Sequence, residues 1–267
     1  MNLLLVFLVS TFALLALLER VFPARHLPRV RRWHVKGLVF LGLSYWLSTR
    51  GPLLWDGTLA RHTLIDATGL GHVGGVLVGL AVLQLGVYVW HRLLHRVPFL
   101  WRHFHQMHHS AERLDVWGSF YFHPLDALGF ALVGSVALVL VLGLTLPAAL
   151  TAGLVTMFCN VFQHANIRTP RWLGYLVQRP ESHSLHHARG VHRFNYGDLP
   201  LWDLVFRTFR NPREFVAEQG FWDGASERVL PMLVGRDVSE PPGRAAQAES
   251  RRSIEQARRM VETRTAG

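Results

Sequence analysis

Histidine is the residue whose placement in this chain could do chemistry. From Trp90 to Ser110 the sequence reads WHRLLHRVPFLWRHFHQMHHS, with His91 and His95 four apart and His105, His108 and His109 three and four apart. On a helix such spacings put side chains on or beside one face. A second group, His183, His186 and His187, repeats the pattern in SHSLHHA. Twelve of the 16 histidines fall between His91 and His192, a concentration that scattered surface or core histidines would not produce. Neutral imidazole is a common ligand for iron, copper, zinc and nickel, and two converging groups supply more ligands than one ion accepts. The spacing therefore predicts a two-metal site.

The elements that must position these histidines are apolar. Residues 3–18 are apolar apart from Ser10 and Thr11, 37–47 and 73–90 are nearly so, and 127–163 is a double-length apolar block. Runs near 20 residues match the roughly 30 Å hydrocarbon core of a bilayer. The expected fold is all-α: a polytopic, multi-pass integral membrane protein with four to five transmembrane helices and a cytoplasmic, histidine-rich metal-binding cap. Residues 1–90 are read as N-terminal transmembrane helices, and 91–210 as the two-metal domain with a membrane hairpin at about 127–163. Residues 211–267 form a polar C-terminal tail in this reading. From about Val238, Pro241, Pro242 and many Arg and Glu residues predict a solvated helix or disorder without chemistry.

The first apolar segment has neither a positively charged start nor a small-x-small cleavage site, so a retained anchor is expected. Arg20, Arg25, Arg29, Arg31, Arg32 and Lys36 follow it, and the positive-inside rule places that loop in the cytoplasm. Spans at about 37–54 and 70–90, then a hairpin turning near Gly143 to Pro147, bring both histidine groups to that same side. Trp33, Trp55, Trp90 and Trp172 lie near predicted span ends, where interfacial tryptophan is expected. Arginine-rich cytoplasmic loops account for the net charge of +10 without nucleic acid as a partner. The single cysteine, Cys159, allows neither an intramolecular disulfide nor a cysteine-ligated iron–sulfur cluster, and is expected in the core. The stretch Gly69-Leu70-Gly71-His72-Val73-Gly74 formally matches a dinucleotide fingerprint, but a membrane span follows it and no strand precedes it. Its glycines are assigned to packing between helices.

Taken together, His91-x3-His95, His105-x2-His108-His109-Ser110, His123-Pro124, Phe162-x-His164-x-Asn166, His183-x2-His186-His187, Asn195-Tyr196-Gly197 and Trp202-Asp203 resemble the fatty acid hydroxylase and sterol desaturase superfamily. The resemblance covers roughly Val89 to Thr208. It implies a membrane di-iron enzyme with two iron ions as cofactor, which uses O2 to hydroxylate or desaturate a lipid. Carried residue by residue, the ligands it implies are His91, His95, His105, His108, His109, His164, His183, His186 and His187. Three positions depart from the family pattern. Tyr121 stands where arginine is usual two residues before the His-Pro histidine, and the usual Asp-Arg-x-Phe-Gly-Thr ending reads Asp203-Leu204-Val205-Phe206-Arg207-Thr208, with Leu204 and Arg207 in place of arginine and glycine.

The chemistry agrees with that resemblance. Oxidising an unactivated C–H bond needs a redox metal with open coordination positions, and nine imidazoles around two octahedral ions leave about three. Asn195 and Asp203 are candidates for holding ligand imidazoles through their second nitrogen. His123 is a candidate ligand or outer donor, and His103 and His192 are further candidates. A sterol, fatty acyl chain, carotenoid or ether lipid would suit the apolar spans. The alternative is a non-redox membrane metal-binding or transport protein, which should carry ionisable residues near the bilayer midplane; here the histidines gather at span ends. Reducing O2 during lipid oxidation also consumes two electrons that the lipid does not provide. An external donor of ferredoxin or cytochrome type, with its reductase, is therefore expected to dock on Arg92, Arg96, Arg102, Arg113, Arg189, Arg193, Arg207 and Arg210.

Overall fold

A computed structural model describes residues 3–243, so the polar stretch beyond Gly243 lies outside the described residues. Five long helices form the frame: α1 (Leu3–Val21), α2 (Trp33–Arg50), α3 (Gly71–Arg96), α5 (Pro124–Ser135, continued by the π-helical turns of Val136–Val141) and α6 (Leu146–His164). Shorter helices build the cap: α4 (Gln106–His109), α7 (Pro180–His186) and α8 (Leu201–Val205). Among the described residues there is no strand, only an isolated bridge between Ala188 and Gln219.

Among the described residues, four stretches are long and apolar enough to cross a bilayer: Leu4–Val21, Thr68–Arg96, Pro124–Val141 and Leu146–His164. The expected second span at about 37–54 is helical but is not among them. Lys36 and Arg50 lie within α2, and Ser44, Tyr45, Ser48 and Thr49 form a polar stripe along it. α2 nonetheless runs away from the histidines. Trp33 at its start donates to Asp115 in the cap (2.8 Å), while Trp55, just past its end, donates to Ser135 Oγ (2.9 Å). The following segment then pairs with the far end of α5, where the Leu64 and Ala67 amides donate to the Leu140 and Leu142 carbonyls. The hairpin turn falls where the Gly143-to-Pro147 signal placed it, with Gly143 at φ +48° and α6 starting at Leu146.

Close approach of α3 to the hairpin depends on glycine, at positions other than those of the fingerprint-like stretch. A Cβ on Gly79 would lie 2.8 Å from Leu144 Cδ1, and one on Gly86 would lie 2.9 Å from Val133 Cγ1. Gly69 and Gly71 face open space. Trp33 is also not interfacial: it is 3% exposed and packs with Phe40, Met107 and Tyr121 in the core of the cap. Trp172, 64% exposed, has the surface position expected of an interfacial residue. Cys159 is buried.

The cap is fastened to the helices by buried carboxylates. Glu19 of α1 accepts from the amides of Val116 (3.0 Å) and Asn166 (3.1 Å). Glu112 accepts from the amides of Gly224 and Ser226 and from the Ser226 hydroxyl, and the Ser226 carbonyl accepts from Lys36 and Tyr121. Through these bonds Phe221, Ala225, Met232 and Val238, all within the stretch read as a polar tail, pack against Met107 and Tyr121. Tyr121 thereby uses its hydroxyl to hold the C-terminal segment.

If α2 crosses the bilayer, its far end and the cap lie on opposite sides. In intact cells an impermeant thiol reagent should label Thr58→Cys and leave Glu214→Cys unlabelled until the membrane is permeabilised. Simultaneous labelling of both would place α2 on one side only.

Candidate metal centre

α3 delivers His91 and His95 from its last two turns, and α6 delivers His164 as its final residue. A π-helical turn, Trp101–His105, leads into α4, and together they turn His105, His108 and His109 inward. α7 supplies His183 and His186, with His187 just past its end. The nine histidines form two groups: His91, His95, His105, His109 and His186 in one, and His108, His164, His183 and His187 in the other. Within each group the candidate ligand atoms lie within 4.8 Å of one another. The groups adjoin, with the rings of His109 and His187 stacked at 4.1 Å.

The nitrogen spacing is informative. In the first group the Nε2 atoms of His91 and His105 are 3.0 Å apart, those of His105 and His109 3.1 Å, and those of His109 and His186 3.1 Å. In the second, His108 to His164 is 3.2 Å, His164 to His183 3.1 Å and His183 to His187 3.1 Å. Hydrogen bonds cannot account for all of these contacts, because several of the rings have their proton committed elsewhere. Nδ1–H donates to the Tyr196 carbonyl from His91 (2.7 Å), to Asp126 from His105 (2.7 Å), to the Phe194 carbonyl from His186 (2.7 Å) and to the Asn160 carbonyl from His164 (2.6 Å). The Nε2 lone pairs of His91 and His105 then point at one another, which is repulsive unless a cation lies between them. Neighbouring nitrogens about 3.0 Å apart are what a metal with bonds of about 2.1 Å at right angles requires. Burial also holds His105, His108, His109, His183, His186 and His187 well below the ordinary imidazole pKa, so they are neutral, as ligands must be. Five nitrogens exceed the four of a closed zinc site, and the all-imidazole set suits iron, copper or nickel.

The groups behind the ligands differ from the sequence expectation. Neither Asn195 nor Asp203 touches a ligand imidazole. Asp203 accepts from the amides of Tyr196 (2.9 Å) and Gly197 (2.8 Å), and so fixes the carbonyl that receives His91. Asn195 donates to the carbonyls of Ser182 (3.0 Å) and Arg210 (2.9 Å). It thereby clamps a segment in which His192, Phe194 and Asn195 all have left-handed backbone, with φ of 41°, 70° and 50°. Each such residue costs on the order of 1 kcal/mol, and the clamp sustains that strain while Phe194 presents its carbonyl to His186. His192 stands behind the first group, its Nδ1 3.1 Å from His109 Nδ1, and burial lowers its pKa to about 4. His123 lies apart from both groups and caps α5, accepting from the Leu125 amide (3.1 Å). His103 is also apart and donates to the Phe99 carbonyl (2.9 Å). Arg207 has φ +60°, a conformation that suits the glycine usual at this position in the family.

Asp126 is the functional candidate that sequence reasoning missed. It is fully buried, its Oδ2 accepts from His105, and its Oδ1 has no partner. The signal was present, because Asp126 is the sole charged side chain between Pro124 and Gln163, and an isolated acid in an apolar span is a functional candidate by default. Gln84 was likewise passed over. Amid α3 it accepts from the amides of Asp198 (3.0 Å) and Leu199 (3.2 Å) and donates to the Asp198 carboxylate (3.1 Å). That carboxyl, which Gln163 also reaches (2.9 Å), is pushed up to about 6 by burial.

A cavity of about 360 Å³ runs between the long helices and reaches His91 and His105 of one group and His108, His164 and His183 of the other.

Comparison with known proteins agrees with this arrangement. Residues 76–208, the stretch holding all nine histidines, match the fatty acid hydroxylase family. The chain is 31% identical over 226 residues to an ornithine lipid hydroxylase of Rhizobium tropici, covering 76% of this chain and 66% of that protein. The chain belongs to the fatty acid hydroxylase superfamily. It is also 29% identical over 165 residues to a Delta(7)-sterol-C5(6)-desaturase of Nicotiana tabacum, covering 60% of this chain and 58% of the relative. With a sphinganine C4-monooxygenase of Arabidopsis thaliana it shares 25% identity over 137 residues, covering 50% and 53%. The aligned chain thus spans between about half and two thirds of these relatives' own length. No solved structure matches this member of the superfamily significantly.

Asp126→Asn keeps the shape and an acceptor for His105 but removes the charge. Loss of such an outer partner typically weakens metal binding by about 10- to 100-fold. Chelator titration of the variant should show metal loss at correspondingly lower chelator, and unchanged retention would mean Asp126 is only a packing group.

Proposed function

We propose that this chain is a membrane di-iron oxygenase that takes O2 and externally supplied electrons to hydroxylate or desaturate a C–H bond of a hydrophobic lipid. The observation that carries this reading is the cavity, which runs between bilayer-crossing helices and ends on histidines of both groups. The relatives are named for oxidation of an ornithine lipid, a sterol and sphinganine, which fits a site that receives lipids.

In this reading His91, His95, His105, His109 and His186 hold one iron, and His108, His164, His183 and His187 hold the other. Octahedral coordination leaves about three positions free. Iron bound there supplies the redox chemistry with O2 that side chains lack. The protein's part is to hold imidazoles neutral, to exclude water and to orient the chain. The cavity follows α6 from Ala149 to His164, about 22 Å at 1.5 Å per residue, which exceeds the roughly 15 Å of one leaflet. A long acyl chain or a rigid polycyclic lipid therefore fits with its reacting carbon at the histidines.

Electrons arrive from the other side of the histidines. Of the eight arginines read as a docking face, Arg113 is paired with Asp115, and Arg189 with Glu218 and Asp223. Arg92 donates to the Tyr88 hydroxyl. Arg96, Arg102, Arg193, Arg207 and Arg210 are exposed and form no ion pair among the described residues. An acidic ferredoxin or cytochrome suits this face, and the positive-inside rule assigns it to the cytoplasm.

Elemental analysis of anaerobically handled protein should find about two iron atoms per chain. His108→Ala and His186→Ala, one from each group, should each lower that figure; full iron content in both would remove the ligand assignment. Turnover driven by an acidic donor should fall steeply with salt, as the Debye length shrinks from about 10 Å at 0.1 M to about 3 Å at 1 M. Turnover supported by NAD(P)H alone would show that no separate donor is needed.

A further inference from the structure

α2 forms part of the cavity wall, and it lies outside the residues 76–208 that match the family. Its polar stripe faces the cavity: Ser44, Tyr45, Ser48 and Thr49 all line it. Thr49 returns its hydroxyl to the Tyr45 carbonyl (2.8 Å), as helical serines and threonines commonly do. Ser44 does not. It is 5% exposed, lines the cavity and makes no hydrogen bond among the described residues. Its hydroxyl opens on the cavity, where a ligand's polar group can supply the hydrogen bond that the chain does not.

A second helix offers a matching group. Asn160 of α6 also lines the cavity, its Nδ2 reaching the Ser119 carbonyl only at 3.4 Å, while its Oδ1 accepts no hydrogen bond among the described residues. Asn160 stands one turn before His164, about 6 Å along the helix axis. Ser44 follows Phe40 by one turn. Phe40 packs edge-on against Tyr121 (5.2 Å), and the adjoining Phe122 ring lies 4.5 Å from His108. Asn160 therefore sits about one helical turn from His164, and Ser44 lines the same cavity one turn beyond Phe40. Elsewhere the wall is mostly apolar, with Leu8, Leu138, Ala149 and Leu154, apart from Ser48 and Thr49 farther along α2.

We infer that the substrate is a lipid carrying a hydrogen-bonding group, a hydroxyl, amide or ester, close along its chain to the reacting carbon, and that Ser44 and Asn160 hold that group inside the cavity. An unfunctionalised hydrocarbon or a carotene would leave both polar side chains unpaired. The inference rests on the proposed oxygenase function for which carbon reacts, but the seat of the polar group can be tested without turnover.

The test uses the iron-loaded full chain in phospholipid nanodiscs and 1-hexadecanol bearing a diazirine beside the hydroxyl carbon. Photolysis should attach the probe to peptides containing Ser44 and Asn160. 1-Octadecanol should compete, and octadecane should not. Ser44→Ala and Asn160→Ala should each shift the competition midpoint about fivefold, the worth of roughly one neutral hydrogen bond, with iron content and helical circular dichroism unchanged. Cross-links confined to the surface of the cap, equal competition by octadecane, or unshifted midpoints in both variants would overturn the inference. If cross-links in the cavity persist while the loaded protein oxidises no lipid, the oxygenase function fails and the polar seat stands.

Discussion

The constraint on which this structure depends is electrostatic. Nine imidazoles are buried together, and a buried group that ionises without a partner is heavily penalised, so they must stay neutral. A neutral imidazole has one donor and one acceptor, and each needs an occupant. For His91, His105, His164 and His186 the donor is taken from behind by a carbonyl or a carboxylate. Of these, His91 and His105 face each other Nε2 to Nε2 at 3.0 Å with no proton to share, an arrangement that a cation between them resolves. Much of the cap follows from supplying those rear acceptors. The strained stretch from His192 to Asn195, the Asp203 clamp on Tyr196 and Gly197, and Gln84 reaching out of α3 to residues 198 and 199 all fix one short loop whose carbonyls the histidines need.

The sequence showed what depends on residue type at fixed spacing and hid what depends on contact between distant segments. The His-x-x-His-His repeats and the apolar blocks are local patterns, so the two histidine groups, the hairpin and the all-helical class could be read directly. Asp203 and Asn195 could be picked out as important, yet the expectation that they touch imidazoles was not met. A side chain that orders a backbone carbonyl leaves the same trace in a sequence as one that bonds the ligand itself. Asp126 directly precedes the apolar block that begins at Ala127, so in the sequence it reads as a flanking residue, whereas the helix starts at Pro124 and includes it. Trp33 was assigned to the membrane surface because it stands at the end of an apolar run, and only the fold reveals that Asp115 and Tyr121 enclose it. Residues 221–238 fall in the stretch read as a polar tail, but they carry many large apolar side chains, and Phe221, Met232 and Val238 among them pack in the core.

α2 illustrates a further limit of hydropathy. Its weak apolar character reads as a poor membrane span, but its polar residues are not scattered. They occupy the face turned to the cavity, while Leu38, Val39 and Trp46 on other faces are exposed, as lipid-facing residues are. Average hydropathy cannot distinguish a helix that is half in water from one that is wholly in lipid with a polar inner face. Ser44 and Ser48, one turn apart and both lining the cavity, are what the second arrangement requires.

Placing the histidines at the ends of the spans also separates the two reactants that a lipid oxygenase must bring together. The cavity approaches them from the side of the bilayer-crossing helices, where an apolar chain is at its lowest free energy. Arg102, Arg193, Arg207 and Arg210, exposed and without an ion pair among the described residues, lie outside the long helices, and in the proposed function a water-soluble carrier docks on them. A site at the bilayer midplane would offer a soluble donor no approach, and one wholly outside the membrane would require the lipid to leave its solvent before reacting. Burying an acyl chain of many methylenes is worth roughly 0.8 kcal/mol for each one, so extracting it into water would cost far more than the polar contacts of a cap could return. The interface is the depth at which neither partner has to be desolvated against its nature, and in the proposed function the α3 and α6 termini, carrying His91, His95 and His164, would hold the metals there.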